Sequence, residues 1–437
     1  MTPPPTNLAW TCFQTIAPES YFDELLKQYP KRRKRIYWAA VVVWLMIYQR
    51  LHGGASLMSA ILALPARWKQ DKPRVSASTG AYCQARQRLP TVVAEQVADH
   101  VFETLRAQTP GPLPWPVFVV DGTTLRLEYE ADLVQTFPPG RNRLGENRWP
   151  VLQLVVFHDA HTGLAARPIW GPMYGEQPVS EQRLAAQALD RLPTVALVLG
   201  DANFGIFAFA YAVVRSGRQV LLRLTESRAQ KIAGPLPHKA RRKVVWSPSS
   251  AERKAHPDLP AEASVEGWLM TCTHPQKPTE KLYLFTTLDR TPKQALSLYK
   301  LRWYIETDLR HLKRTVNLEQ LRSRSVEVVE KELLLAITAY NLVRTVMFQA
   351  AQSSGCTPRQ LSFAHVQAAV LAAMPALEQA ATPQERQRRL RQLVELAAQL
   401  LLPKRKRKRP SYPRQVWRRG GSFPLRSVCP KPEESSR

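Results

Sequence analysis

Three stretches of this chain hold residues whose types and spacing could do chemistry. Asp121 closes the apolar run 117–120, and Asp201 follows the apolar run 195–199 and Gly200. Carboxylates just past buried strands stand where open α/β sheets bind their ligands. Each is equally the residue a turn or a helix cap would use, so neither decides the matter alone. The third stretch, 299–313, carries Tyr299, Arg302, Glu306 and Lys313. At ~100° per residue these four share a helix face ~60° wide. Leu301, Ile305 and Leu312 fall on the opposite side, where they can anchor the helix to a core. A carboxylate flanked by two cations and a tyrosine suits a site that binds metal and phosphate together. Arginine contributes planar bidentate contacts, lysine a point charge, and tyrosine a stacking or hydroxyl contact. A solvated helix face with salt links one turn apart would use the same residue types.

These residues need elements to position them. Residues 1–110 read as helical, including an apolar run at 36–48 behind the basic residues 31–35. That run is too short for a span of ~20 residues, so it reads as a buried helix. A proline-rich link at 110–116 ends the region. Residues 111–225 then give strands at 117–120, 151–158 and 164–170, a helix at 180–191, a strand at 195–199, a helix at 204–216 and a strand at 219–224. The order β-β-β-α-β-α-β predicts an α/β sheet that opens with an antiparallel hairpin. Residues 226–290 break into short strands at 243–246, 265–272 and 281–287, a β-rich insertion. Helical texture returns over 291–350 and continues through 351–402, and a basic tail occupies 403–437.

The composition sets the class of partner. The 437 residues include 62 Lys and Arg against 35 Asp and Glu, a net charge of +27, and 44% are hydrophobic. That apolar content excludes general disorder, and the charge calls for a polyanion, most simply nucleic acid. The charge is uneven. Residues 117–206, which hold both aspartates, carry 7 basic and 10 acidic residues, whereas 403–437 carry 12 and 2. Cys12, Cys83, Cys272, Cys356 and Cys429 lie far apart, which argues against a disulfide scaffold or a zinc site and for a reducing compartment. With no membrane or targeting segment read, a cytoplasmic protein is expected.

The spacing Tyr-x2-Arg-x3-Glu-x6-Lys, met in full by Tyr299, Arg302, Glu306 and Lys313, is the signature of a large family of bacterial insertion-sequence DDE transposases. Residues 119–123 (Val-Val-Asp-Gly-Thr) resemble that family's first-aspartate motif, and 200–205 (Gly-Asp-Ala-Asn-Phe-Gly) its second. Residues 76–89 are similar to its N-terminal conserved block, so the resemblance covers about 80–350. It implies a ribonuclease-H-like core with a β-rich insertion between second aspartate and glutamate, here 105 positions apart. A helical N-terminal DNA-binding region and a helical, basic C-terminal region are expected to flank that core.

The resemblance implies Asp121, Asp201 and Glu306 as a metal triad holding two Mg²⁺ ions, with Mn²⁺ able to substitute. Water would nick the element's end, and the freed 3′-OH would attack the complementary strand or target DNA. Tyr299, Arg302 and Lys313 are then phosphate and end-DNA contacts. The expected partners are double-stranded DNA, as terminal inverted repeats and target, and a second copy of the chain in a paired-end complex. Trp246 and Trp268 are candidates to stack on a flipped base, although core packing of the insertion accounts for both more simply. Arg86 and Arg88 face either DNA or solvent. Lys404, Arg405, Lys406 and Arg407 form a phosphate-contacting arm or a solvated tail. His158, Asp159 and His161 read as a hairpin turn. Two rivals remain: a decayed or domesticated copy that binds DNA without cutting, and a ribonuclease-H-like nuclease without strand transfer.

Overall fold

The β-branched and aromatic run at 117–120 lies inside a mixed sheet, because its strand pairs with one neighbour on each side. The computed structural model describes residues 17–28, 36–64, 78–109, 111–143, 145–274, 277–319, 321–378 and 382–403. Its strands are β1 (Val117–Arg126), β2 (Arg141–Asn142), β3 (Gly145–Glu146), β4 (Val151–Asp159), β5 (Ile169–Pro172), β6 (Leu197–Gly200), β7 (Gln219–Leu224), β8 (Arg241–Trp246), β9 (Val265–His274) and β10 (Lys277–Thr286). Eight of them form one sheet in the order β5-β4-β1-β6-β7-β10-β9-β8, and β2 and β3 pair separately.

The hairpin-first order holds. β4 is antiparallel to β1 and to β5, and β6 is parallel to both β1 and β7. This mixed α/β sheet is consistent with the expected ribonuclease-H-like core. The strands foreseen in 226–290 also form, but not as a separate sheet: β10 pairs antiparallel with β7, β9 with β10 and β8 with β9. They extend the core sheet, because β7 would otherwise leave an apolar edge unpaired.

Helices cover the sheet. Those that matter here are α1 (Ala39–Leu51), α2 (Gly80–Arg88), α3 (Thr91–Gln108), α4 (Glu181–Gln187), α5 (Phe207–Arg215), α6 (Pro292–Tyr299), α7 (Tyr304–Arg310), α8 (Val326–Ser354), α9 (Phe363–Glu378) and α10 (Pro383–Gln399). The 36–48 run lies largely in α1, buried as expected from Ala40 to Leu51 except at Tyr48. The apolar helix α8 packs against α1, α3, α9 and α10. It is long and apolar enough to cross a membrane, but 94% of its most apolar stretch is buried inside the fold. One continuous apolar core joins the N-terminal helices, the sheet and the C-terminal helices, from Phe22 through Phe118 and Leu335 to Ala397. Burial on that scale is the main stabilising term. Residues 31–35 and the tail arginines and lysines lie outside the described residues.

Candidate active site

Strand register brings the two aspartates together. In the parallel pair β1 and β6, Phe118 is opposite Val198 and Val119 opposite Leu199. Asp121 and Asp201 each lie two residues beyond the Val119–Leu199 couple, so they reach the same level, Asp121 within β1 and Asp201 just past the end of β6. Buried Phe118, Val119 and Val120 fix one strand, and Leu197, Val198 and Leu199 the other. Asp121 Oδ1 accepts from the Gly122 amide at 2.9 Å, and Asp201 Oδ1 from the Asn203 amide at 2.8 Å. The second loop rests directly on β7: a Cβ at Gly205 would lie 2.1 Å from the Arg223 carbonyl oxygen. Burial raises the Asp121 pKa to about 6, and the Asp201 and Glu181 charges push the same way against the Gly122 amide and Arg302.

Glu181, at the start of α4 behind the N-cap Ser180, is the neighbour that sequence reading missed. Its Oε1 accepts from Gln153 Nε2 and its Oε2 from Asn203 Nδ2, each at 2.6 Å. Burial raises its pKa as well, with Asp201 adding to the effect. A glutamate just inside a helix N-terminus is so common that spacing alone does not single it out. Only the folded sheet places it beside the aspartates.

The signature stretch does not form one regular helix. It leaves α6 at Tyr299, tightens into a 3₁₀ turn over Lys300–Trp303, resumes as α7 and widens into a π turn over His311–Thr315. The single ~60° face is therefore not maintained: tightening and widening change the angle per residue. Ile305 and Leu312 are buried as anchors, with Leu301 partly so. Helix α7 packs against β1. Tyr299 is buried, 1% exposed. Its hydroxyl is pushed up to about 12 by burial, offset by Arg302 and Arg223 and reinforced by Asp201. The guanidinium of Arg302 lies 6.0 Å from the Tyr299 ring centre and 5.7 Å from that of Trp303. It also pairs with Glu306 at 3.7 Å. Lys313 pairs with Glu319 at 3.5 Å. The Glu306 side chain is 61% exposed.

Two residues past Glu306, Asp308 holds this segment to the rest of the fold. It is fully buried, bonded to Arg344 and, through both oxygens, to Arg359 at 2.6 and 2.7 Å. These cations hold its carboxyl below the usual range despite burial. His158, at the end of β4, lies 4.0 Å from it and hydrogen-bonds the Gly163 carbonyl. Asp159 accepts from the amides of His161 and Thr162, the turn role expected of it.

The remaining candidates separate by burial. Arg86 is buried and paired with Glu332 at 2.5 Å, facing neither solvent nor the surface in this structure. The same carboxylate meets Arg50 at 3.2 Å, and Lys331 caps α2 through the Arg86 and Gln87 carbonyls. Arg88 is exposed. Trp246 is buried against Phe207 and Phe285, which fits the core role. Trp268 is partly exposed, with the Arg241 guanidinium 3.4 Å above its ring. Lys404, Arg405, Lys406 and Arg407 lie outside the described residues.

The donors around Asp121 are carboxylate oxygens that repel one another, an arrangement suited to a hard divalent cation. Among the described residues no three His, Cys, Asp or Glu side chains converge closely enough to hold a metal. Asp121, Asp201 and Glu181 interact, while Glu306 is turned to Arg302. Residues 114–342, more than half of the chain, match the family model described as the transposase DDE domain, and the chain belongs to that family. Over 412 residues, 92% of this chain and 90% of the relative, it is 27% identical to the transposase InsG for insertion sequence element IS4 of Escherichia coli (strain K12). The chain is thus a metal-dependent enzyme of DNA cleavage and strand transfer.

Proposed function

We propose that this chain is the transposase of its own insertion sequence and moves it by a cut-and-paste route, with Asp121, Asp201 and Glu306 holding two Mg²⁺ ions. The register that brings Asp121 and Asp201 level on adjacent strands carries this reading. When bound, such ions neutralise developing charge on the phosphate and lower the pKa of the attacking oxygen. The residues of the chain do the positioning. The Gly122 and Asn203 amides aim the two aspartates. Arg302, beside the Tyr299 and Trp303 rings, offers planar donors to a phosphate oxygen. Glu306 is exposed enough to leave Arg302 and join the aspartates. Water adds to the end phosphate as the P–O bond to the 3′ oxygen breaks, and that oxygen takes up a proton. The freed 3′-OH then attacks a phosphodiester of the next strand and displaces its 3′ oxygen, which takes up the proton the attacking hydroxyl gives up. No protein–DNA bond forms, so no nucleophilic side chain is required. The partners are the element's terminal inverted repeats, target DNA and a second copy of the chain. The helical region 1–110 and the basic tail 403–437 contribute DNA contacts, and the reaction takes place in the cytoplasm.

The test is nicking of a supercoiled plasmid that carries the element's ends. Wild-type protein should nick it only with Mg²⁺ or Mn²⁺. Asp121→Asn, Asp201→Asn and Glu306→Gln should each abolish nicking while gel shifts with end DNA stay near wild type. Nicking at near wild-type rate by any one variant would remove that residue from the triad.

A further inference from the structure

We propose that Glu181 is a positioning residue for the cleavage reaction, fixing the Asp121 strand and the Asp201 loop against each other. The proposal rests on the reading of those aspartates as metal ligands. Both carboxylate oxygens of Glu181 are already occupied, one by Gln153 of β4 and the other by Asn203 of the Asp201 loop, each at 2.6 Å. The Asn203 amide in turn donates to Asp201 at 2.8 Å. The Asn203 side chain is held from its other end, where Gln182 donates to its Oδ1 at 2.7 Å and to its backbone carbonyl at 2.9 Å. One carboxylate on α4 therefore orients the residue whose backbone orients Asp201.

Strand β1 meets the same side chain by contact. A Cβ added at Gly122 would fall 2.3 Å from the Glu181 carboxyl carbon and from its Oε1. The glycine after Asp121 thus gives Glu181 room to lie across β1. Gln153 pairs with Thr124 in the β1–β4 ladder, so its hydrogen bond ties Glu181 to the strand beside Asp121. The negative charge of Glu181 also adds to the field at both aspartates. With both oxygens engaged by amides, Glu181 acts through its neighbours.

Partners that orient metal ligands typically matter by about 10- to 100-fold in affinity or activity. Glu181→Ala should raise the Mn²⁺ concentration for half-maximal nicking about 10-fold and lower the saturated rate, with end-DNA binding unchanged. Calorimetric titration with Mn²⁺ alone should show the same loss of affinity, and Glu181→Asp should restore part of it. Gly122→Ala should act like Glu181→Ala. The double variant should be no worse than either single one, because removing the glutamate makes room for the new methyl. A Glu181→Ala protein with wild-type metal dependence and rate overturns the proposal. So does one that only melts earlier and binds Mn²⁺ normally. Asp121→Asn and Asp201→Asn are measured alongside. If they still cut, the metal site itself is misassigned; if they are inactive while Glu181→Ala is normal, only the role of Glu181 fails.

Discussion

Asp121 and Trp268 are the residues whose surroundings sharpen most in the fold. Asp121 shares its site with two other carboxylates and one guanidinium, so its ionisation depends on all of them. Trp268 is partly exposed beneath Arg241, whereas Trp246 is wedged between Phe207 and Phe285. Substituting the two separates packing from recognition. Trp246→Ala should destabilise the protein by about 3–5 kcal/mol, the usual cost of emptying a buried aromatic site, and thermal melting reports it. Trp268→Ala should melt near wild type and weaken the complex with cleaved ends, by up to ~1–3 kcal/mol if one base stacks there. Equal loss of stability in both would assign Trp268 to the core.

At the scale of elements, the decisive contact lies between the Glu306-bearing helix and the sheet. Asp308 is bonded to Arg344 of α8 and to Arg359, and His158 of β4 lies within 4.0 Å. Burial lowers the His158 pKa to about 4, with Arg359 and Arg344 acting the same way and Asp308 opposing. The folded value lies below the unfolded one, so the unfolded chain takes up the proton first. Stability from this group is complete above the ordinary value of 6.5 and declines as pH falls toward about 4. The slope is at most ~1.4 kcal/mol per pH unit. His158→Phe should flatten the dependence of urea-unfolding free energy on pH across that window. His311, lowered to about 3, retains part of the slope. An unchanged slope would place the proton uptake elsewhere.

Local signals made some of these elements legible in the chain. The strands around Asp121 and Asp201 both begin in solid apolar runs. The end of β6 before Asp201 was readable, whereas β1 runs on past Asp121 to Arg126 because Gly122 to Arg126 stay paired with β4. The stretch from Tyr299 to Lys313 was not, because periodicity assumes one helical geometry and the backbone passes through three. Arg86 looked like a surface arginine because its partner, Glu332, lies 246 positions away. Glu181 was indistinguishable from an ordinary helix-start acid until β4, α4 and the Asp201 loop were folded together.

For the whole molecule, the charge has a direction. The +27 surplus avoids residues 117–206, where acidic residues outnumber basic ones by three. Both aspartates belong to that segment, so a local anionic centre sits within a cationic chain suited to DNA. One continuous core links the helices at both ends to the sheet. DNA bound by the flanking helices would therefore be held relative to Asp121 and Asp201.

The central claim is that Asp121 and Asp201 share a divalent cation, and iron-directed backbone cleavage tests it without requiring turnover. With Fe²⁺, ascorbate and peroxide, cuts should cluster near residues 121 and 201, fade with excess Mg²⁺ and disappear in Asp201→Asn. Cuts that fall elsewhere in the chain, or that persist unchanged in Asp201→Asn, would contradict the account.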